Sequence, residues 1–422
     1  MKIELLKTPV VAEKLRKDYY AFNAQKGISN RKPDQNFLNI STGKLSNIYF
    51  SHYETLIDKS LPFINQMDQI DIFTHTDMDG DASGAITFNL VKSQNKKVNN
   101  ILRFNFKEQD LVRFLDNIPE DNLKRSALIT DLSLPYRNLV AILDKYDEVV
   151  WIDHHDTSFK TAKDLLNHIE YKNKLTVIID QTCSATYLAY KVFCDFINSD
   201  YKDSINYGLA ALLVSDYDSW NTNEYLRFEY GSYLNQYYFS NGIFTPDHEF
   251  WNRLFFSKSK SEDCLFEVLS YGKKLFNLEM LKNEILYNAV AKYVYTYNDY
   301  KICILNAYGN SNRFPETISA EIKVLLRCSA TDNSMSVSIF SEDEKVQSIN
   351  IGKICREYFN GGGHAGAGGF GLNITAFVSA VDNMKIDCRY TSTIEGSETT
   401  MSAVAKEIGD RLALLLFHEL NK

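Results

Sequence analysis

A chain of 422 residues with 45% apolar content and only 7 prolines can bury a substantial core, and it reads as two or more globular domains. Its net charge of −8 argues against a broad cationic surface for long duplex DNA or anionic membranes and leaves room only for a local groove. Its 7 cysteines are odd in number, widely spaced and without a C-x-x-C pair, which excludes a secreted disulfide scaffold. They read as reduced thiols of a cytoplasmic protein. The opening MKIELLKTPVVAEKLRKDYY is charged throughout, and no later stretch approaches the roughly 20 apolar residues of a membrane span.

In chain order, residues 1–66 are polar, with GISNRKPDQN marking loop, and read as an N-terminal extension. Residues 67–220 hold the first αβ pattern. QIDIFT (69–74), SALITD (126–131), EVVWID (148–153) and LTVIID (175–180) are short, apolar and β-branched, as buried strands are. Helix-like segments such as ASGAITFNLVKSQ and YRNLVAILDKY separate them, so the fold class is α/β, a parallel sheet with helices on both faces. SATYLAYKVFCDFI (184–197) and INYGLAALLVSDYDSW (205–220) read as helices. Residues 221–298 read as a helical insertion and linker, the helical period running over 266–294. A second, smaller αβ domain is expected over 299–398, with strands at 300–307 and 334–341 and a helix at 349–359 before GGGHAGAGGF. Residues 399–422 form an amphipathic helix expected to dock on the protein itself.

Chemistry concentrates at the strand ends. His75, Asp77, Asp79 and Asp81 follow the first strand at two-residue intervals. Crowding carboxylates costs Coulomb energy unless a cation lies among them, which points to a divalent metal. For DMDGD alone, a solvated loop or helix cap competes, since aspartate and glycine are common turn formers. An EF-hand fails because Ala82 and Phe88 stand where glycine and glutamate are needed. Asp153, His154 and His155 end the third strand, and imidazole beside carboxylate suits Mn²⁺ or Fe²⁺ better than Ca²⁺. Asp131 and Asp216 each follow an apolar run, where a lone acid is also an ordinary cap or turn residue. Ligands of open α/β sheets sit outside the carboxyl ends of strands, so these groups should converge. Six glycines surround His364 in NGGGHAGAGGF. They free backbone N–H groups for an anion, and a helix starting within the run would help. A flexible connection is the alternative, and His364 favours phosphate.

The ordered series HTDMDGDASG, ITD, IDHHDTS, LVSD and GGGHAGAGGF resembles the DHH phosphoesterases that carry a C-terminal DHHA1 domain, over roughly residues 70–220 and 300–372. That superfamily includes RecJ-type exonucleases, oligoribonucleases, cyclic-dinucleotide phosphodiesterases and, with another second domain, family II pyrophosphatases. The resemblance implies a DHH domain and a DHHA1 domain across a cleft. It makes His75, Asp79, Asp81, Asp131, His154 and Asp216 metal ligands, with Asp77 ranked lower and Asp218 below Asp216. It gives Asp153 the role of holding His154 and turns His155 to the substrate phosphate, so His155, Asp153 and Asp131 are the catalytic set. Gly362, Gly363 and His364 would bind a phosphate or terminal nucleotide. Phe340 stands where relatives carry an arginine in S-x-R-S, and an aromatic stacks on a base but cannot fork onto phosphate. The expected cofactor is two Mn²⁺ ions, with Mg²⁺ or Fe²⁺ as alternatives. The expected partner is a short single-stranded oligonucleotide or small nucleotide, with no membrane. A phosphatase of nonpolymeric phosphates and a non-catalytic nucleotide-binding protein are the competing readings.

Overall fold

The computed structural model describes residues 37–39, 44–46 and 66–421, save 105–107, 166–170, 172–173, 182, 198–204, 222–224, 243, 257–260, 291, 307–317, 330–332, 385, 387–389 and 396–402. The chain divides into two units, 1–275 and 276–422. From the expected N-terminal extension come β1 (Phe37–Asn39) and β2 (Lys44–Ser46), an antiparallel pair; the rest of 1–65 lies outside the described residues.

In the first unit β3 (Gln69–His75), α1 (Met78–Ser93), β4 (Val98–Phe104), α2 (Glu108–Asp116), β5 (Arg125–Thr130), α3 (Tyr136–Lys145), β6 (Glu148–Asp153), α4 (Asp156–Leu165) and β7 (Leu175–Ile179) alternate. The strands form a five-stranded sheet of order β4-β3-β5-β6-β7, parallel throughout. Phe73, Ile129, Trp151 and Val177 enter a core with Leu139, Ile142 and Leu143 of α3. Their neighbours Ile72, Leu128, Val150 and Ile178 are buried too, which is why these strands read as unbroken apolar runs. β4 escaped the sequence reading because it is an edge strand whose VNNILRF is only partly buried. β4 and β5 lie on opposite sides of β3. The topology therefore switches direction beside β3, and in open α/β sheets ligands bind outside the carboxyl ends at such a point.

α5 (Ala185–Ile197), α6 (Ile205–Asp218), α7 (Tyr225–Ser240), α8 (Glu249–Phe255) and α9 (Ser261–Ala289) follow. The segment 221–298 differs from the expected linker. α7 and α8 belong to the first unit, the unit boundary falls within α9, and β8 (Lys292–Tyr297) takes over where the helical period was expected to reach 294. KYVYTY is aromatic and β-branched, a composition that favours a strand over a helix end.

The second unit adds β9 (Tyr300–Asn306), β10 (Ile322–Ser329), β11 (Ser334–Phe340), α10 (Glu344–Ser348), α11 (Ile351–Phe359), β12 (Gly362–Gly363), β13 (Ala367–Asn373), α12 (Ile374–Asn383), β14 (Thr391–Glu395) and α13 (Ala403–Leu420). Its mixed sheet runs β12-β13-β11-β10-β9-β8-β14, parallel at β9/β10. Ile351 and Cys355 of α11, Phe377 of α12 and Leu412 and Leu416 of α13 share one core with Val324 and Val337. The C-terminal helix thus docks on the protein itself. Cys183, Cys264, Cys303 and Cys355 are buried, and no described helix is long and apolar enough to cross a membrane.

Candidate metal centre

Three adjoining groups at the carboxyl ends of β3, β5 and β6 carry ligand atoms within 4.8 Å of one another: His75, Asp77 and Asp131; Asp79, His154 and Asp218; and Asp131, Asp153, His154 and His155. His75 ends β3, and its Nδ1 lies 2.7 Å from Asp77 Oδ2. Asp77 caps α1 by accepting from Gly80 N–H at 2.9 Å. That tight entry needs Gly80, where a Cβ would lie 2.5 Å from the His75 carbonyl oxygen. Burial pushes the Asp77 carboxyl up, but the hydrogen bond and charge of His75 together with Gly80 N–H reverse this and hold it below the usual range.

Asp79, in the first turn of α1, is buried, and its two oxygens accept Ala185 N–H and Thr186 N–H at 2.9 Å each, the opening of α5. Asp131 follows β5 with φ of +52°, a left-handed conformation that aspartate adopts more readily than most residues. Its Oδ1 is buried and makes no hydrogen bond among the described residues, although it lies 3.2 Å from His154 Nε2. The same Nε2 is 3.3 Å from Asp218 Oδ2 and 3.7 Å from Asp79 Oδ2. Asp153 accepts from His154 N–H at 2.7 Å and from Ser158 Oγ, and its Oδ1 lies 2.8 Å from His155 Nδ1.

The electrostatics of the cluster favour positive charge beside Asp131 and Asp218. Burial pushes Asp131 well above the usual carboxylate range, and the charges of Asp79, Asp77, Asp218 and Asp153 push it further. Asp218 is raised likewise, by burial and then by Asp79, Asp77 and Asp153. Burial and then the charge of His155 hold His154 down at about 4, so it is a neutral imidazole at neutral pH, the form that binds metal. Five carboxylates and three imidazoles converge, more than one cation takes from protein, and Asp131 belongs to two of the three groups. The donor set and the buried Asp131 Oδ1 fit divalent-metal binding.

Two expected ligands stand elsewhere, and this corrects the sequence reading. Asp81 is fully buried, but its Oδ1 and Oδ2 accept Arg103 Nε and Nη2 at 2.6 Å each, and Oδ2 also accepts the Tyr238 hydroxyl. Asp216 accepts Arg227 Nε at 2.5 Å and Asn221 Nδ2 at 2.7 Å. The physical reason is helical rotation, since two residues turn a side chain by about 200°. With Asp79 and Asp218 facing the cluster, Asp81 and Asp216 face away from it. Asp77 and Asp218, both ranked lower, are the acids brought in. The roles of Arg103, Tyr238, Arg227 and Thr186 went unread because nothing local in sequence links them to the acids.

In the second unit the glycine run is a hairpin and not the start of a helix. Gly362 and Gly363 pair with Gly369 and Gly368, and α11 precedes them, ending at Asn360 with φ of +53°. The first N–H groups of α11 are already taken, Ile351 by Ala365 O at 3.0 Å and Gly352 by His364 O at 2.9 Å. Gly362 faces open space and Gly363 is exposed. His364 is half-buried on the tip between β12 and β13. Phe340, opposite Ala367, packs on a small core of Tyr287, Cys303, Leu305, Ile318 and Leu325.

No protein-family model matches the chain, and no curated protein does. Among solved structures it is similar to the DHH domain of a member of a ribosomal protein family, with a TM-score of 0.51 and 16% identity over 96% of this chain and 98% of that one. It is also similar to exonuclease RecJ bound to manganese, with a TM-score of 0.44 and 14% identity over 79% and 92%. A pGpG-specific phosphodiesterase from Vibrio cholerae gives a TM-score of 0.31 and 15% identity over 75% and 97%. At such identities the first likeness, above 0.5, establishes the fold.

Proposed function

We propose that this chain, which has the fold of the DHH-domain proteins, is a metal-dependent phosphoesterase acting on phosphodiester bonds of short oligonucleotides or small nucleotides. The observation that carries this reading is Asp131, buried, without a hydrogen bond at Oδ1 among the described residues, and shared by two ligand groups. His75, Asp77 and Asp131 would hold one divalent ion, and Asp79, Asp131, His154 and Asp218 the other, with Mn²⁺ ahead of Mg²⁺ or Fe²⁺. Bound ions of this kind polarise a phosphoryl oxygen and bring a water to hydroxide near neutral pH.

The chain's own residues do the rest. Asp153 fixes the His155 ring through Nδ1, leaving Nε2 on a ring more than a third exposed, at 38%. Burial alone would lower His155, but the charge and hydrogen bond of Asp153 raise it, which favours the imidazolium. Its Nε2–H would then donate to a phosphoryl oxygen as negative charge develops there. In the second unit, Gly362, Gly363 and His364 are assigned to a phosphate or terminal nucleotide and Phe340 to a base. The open space at Gly362 supports this assignment. His364→Ala should raise KM and leave kcat nearly unchanged.

The test is a Mn²⁺-loaded substrate panel read by chromatography. It covers labelled short RNA and DNA, linear and cyclic dinucleotides, phosphoadenosine phosphate and pyrophosphate. Mononucleotide release from short strands, lost in Asp131→Asn, supports the reading. Cleavage confined to the nonpolymeric phosphates would move the substrate class. A nucleotide that binds yet stays intact after hours with Mn²⁺ would make the chain a binding protein.

A further inference from the structure

Asp81 and Asp216 are buried carboxylates that the chemistry above does not use. Each sits two residues from a cluster acid on the same helix, Asp81 from Asp79 on α1 and Asp216 from Asp218 on α6. Both away-facing carboxylates are met by one element, α7. Near its beginning Arg227, 5% exposed, gives Nε to Asp216 Oδ2 at 2.5 Å. Near its end Tyr238, fully buried, gives its hydroxyl to Asp81 Oδ2, and that hydroxyl also lies 3.3 Å from the Asp77 carbonyl oxygen. Eleven residues separate Arg227 from Tyr238, about 16 Å along a helix. Between them Asn235 donates to the hydroxyl of Tyr217, the residue between Asp216 and Asp218, at 2.9 Å. α7 also lies tight on α6, since a Cβ on Gly231 would stand 2.3 Å from the Leu213 carbonyl oxygen.

We propose that α7 is a positioning clamp for the metal centre. By gripping Asp81 on α1 and Asp216 on α6 from one rigid helix, it sets the spacing of Asp79 and Asp218, the cluster acids on those two helices. Arg227 and Tyr238 are positioning residues that act through the anchor acids. The inference rests on the metal-dependent reading above. It predicts that metal affinity depends on side chains that touch no carboxylate or imidazole of the cluster.

The experiment measures Mn²⁺ affinity by calorimetry and by loss of the free-ion EPR signal, on full-length protein stripped of metal. Tyr238→Phe removes one hydroxyl and leaves Asp81 its Arg103 partner. Tyr233→Phe, whose hydroxyl bonds Glu229 within α7, is the control for the same surgery away from the centre. Loss of an outer hydrogen bond that orients metal ligands costs about 10–100-fold in affinity. Tyr238→Phe should show that loss and Tyr233→Phe should not, with both melting close to wild type. Arg227→Lys, which keeps the charge but loses the guanidinium fork, should weaken Mn²⁺ binding in the same direction and carries the test alone if Tyr238→Phe does not fold. A folded Tyr238→Phe or Arg227→Lys that binds Mn²⁺ as wild type does overturns the clamp and leaves the metal centre standing. Wild-type protein that binds no Mn²⁺ overturns the metal centre and the clamp with it.

Discussion

The two units differ in what their unusual residues do for folding. In the second unit Gly352, Gly361 and Gly363 of the glycine run and the helix before it are required by packing. A Cβ on Gly352 would lie 2.2 Å from the Gly363 backbone, one on Gly361 would lie 2.2 Å from Gly369 O, and Gly363 has φ of +133°. In the first unit two of the cluster acids, Asp131 and Asp218, have no such account. Asp131 and Asp218 are pushed up by burial and by one another's neighbours, so the fold is the worse for holding them charged. A motif that packing demands says little about chemistry, whereas one that packing resists needs a ligand to explain it.

The sharpest way to break that comparison is Asp131→Asn. Phosphoesterase activity should fall on the order of 10³-fold or more, because water that is no longer metal-activated keeps a pKa near 15.7 and not about 7. The same variant, stripped of metal, should melt higher than wild type. A carboxyl raised in the folded state costs stability as pH rises from its unfolded value through its folded one, and at neutral pH the amide removes that cost. A lower melting temperature in calorimetry would mean the acid is structural. His155→Ala should lower kcat about 10²–10³-fold, the effect of removing one preorganised donor, with Mn²⁺ affinity little changed.

On the other side of the comparison, Gly352→Ala should destabilise the protein by about 1–3 kcal/mol in urea unfolding, through overpacking against the hairpin. Gly362→Ala, whose Cβ would meet nothing within 4 Å, should stay within about 0.5 kcal/mol. If the two variants lose stability equally, the packing account of the run is wrong. The smallest effect is at Glu148, which burial and then the charge of Asp147 push up to about 7 against Lys174. Its folded-state value lies above its unfolded one, so its contribution to stability falls as pH rises from about 4.5 to about 7 and is flat above. Glu148→Gln should therefore gain on wild type between pH 5 and pH 8, read from urea midpoints.

Much of the fold was legible. Strands buried on both faces write unbroken apolar runs, and β3, β5, β6 and β7 stand within a residue of their expected bounds. β4 and most of the second sheet were not legible. The edge strand β4 is broken by Asn99, Asn100 and Arg103, and three of the seven residues of β13 are glycine, so neither writes such a run. Asp77 and Asp79 were visible in the same way as Asp81, because spacing along a chain carries no direction until a helix is placed.

The sequence by itself determined that acids and imidazoles would gather at strand ends, because a parallel αβ order sends every strand's carboxyl end to one side of the sheet. Only the tertiary structure decided which acids those are. Asp79 and Asp81, like Asp218 and Asp216, are told apart by which side of their helix meets Arg103, Tyr238 and Arg227, residues brought from 11 to 157 positions away. A buried carboxylate goes to a guanidinium or hydroxyl where one is within reach, and the acids left facing one another are those that call for cations.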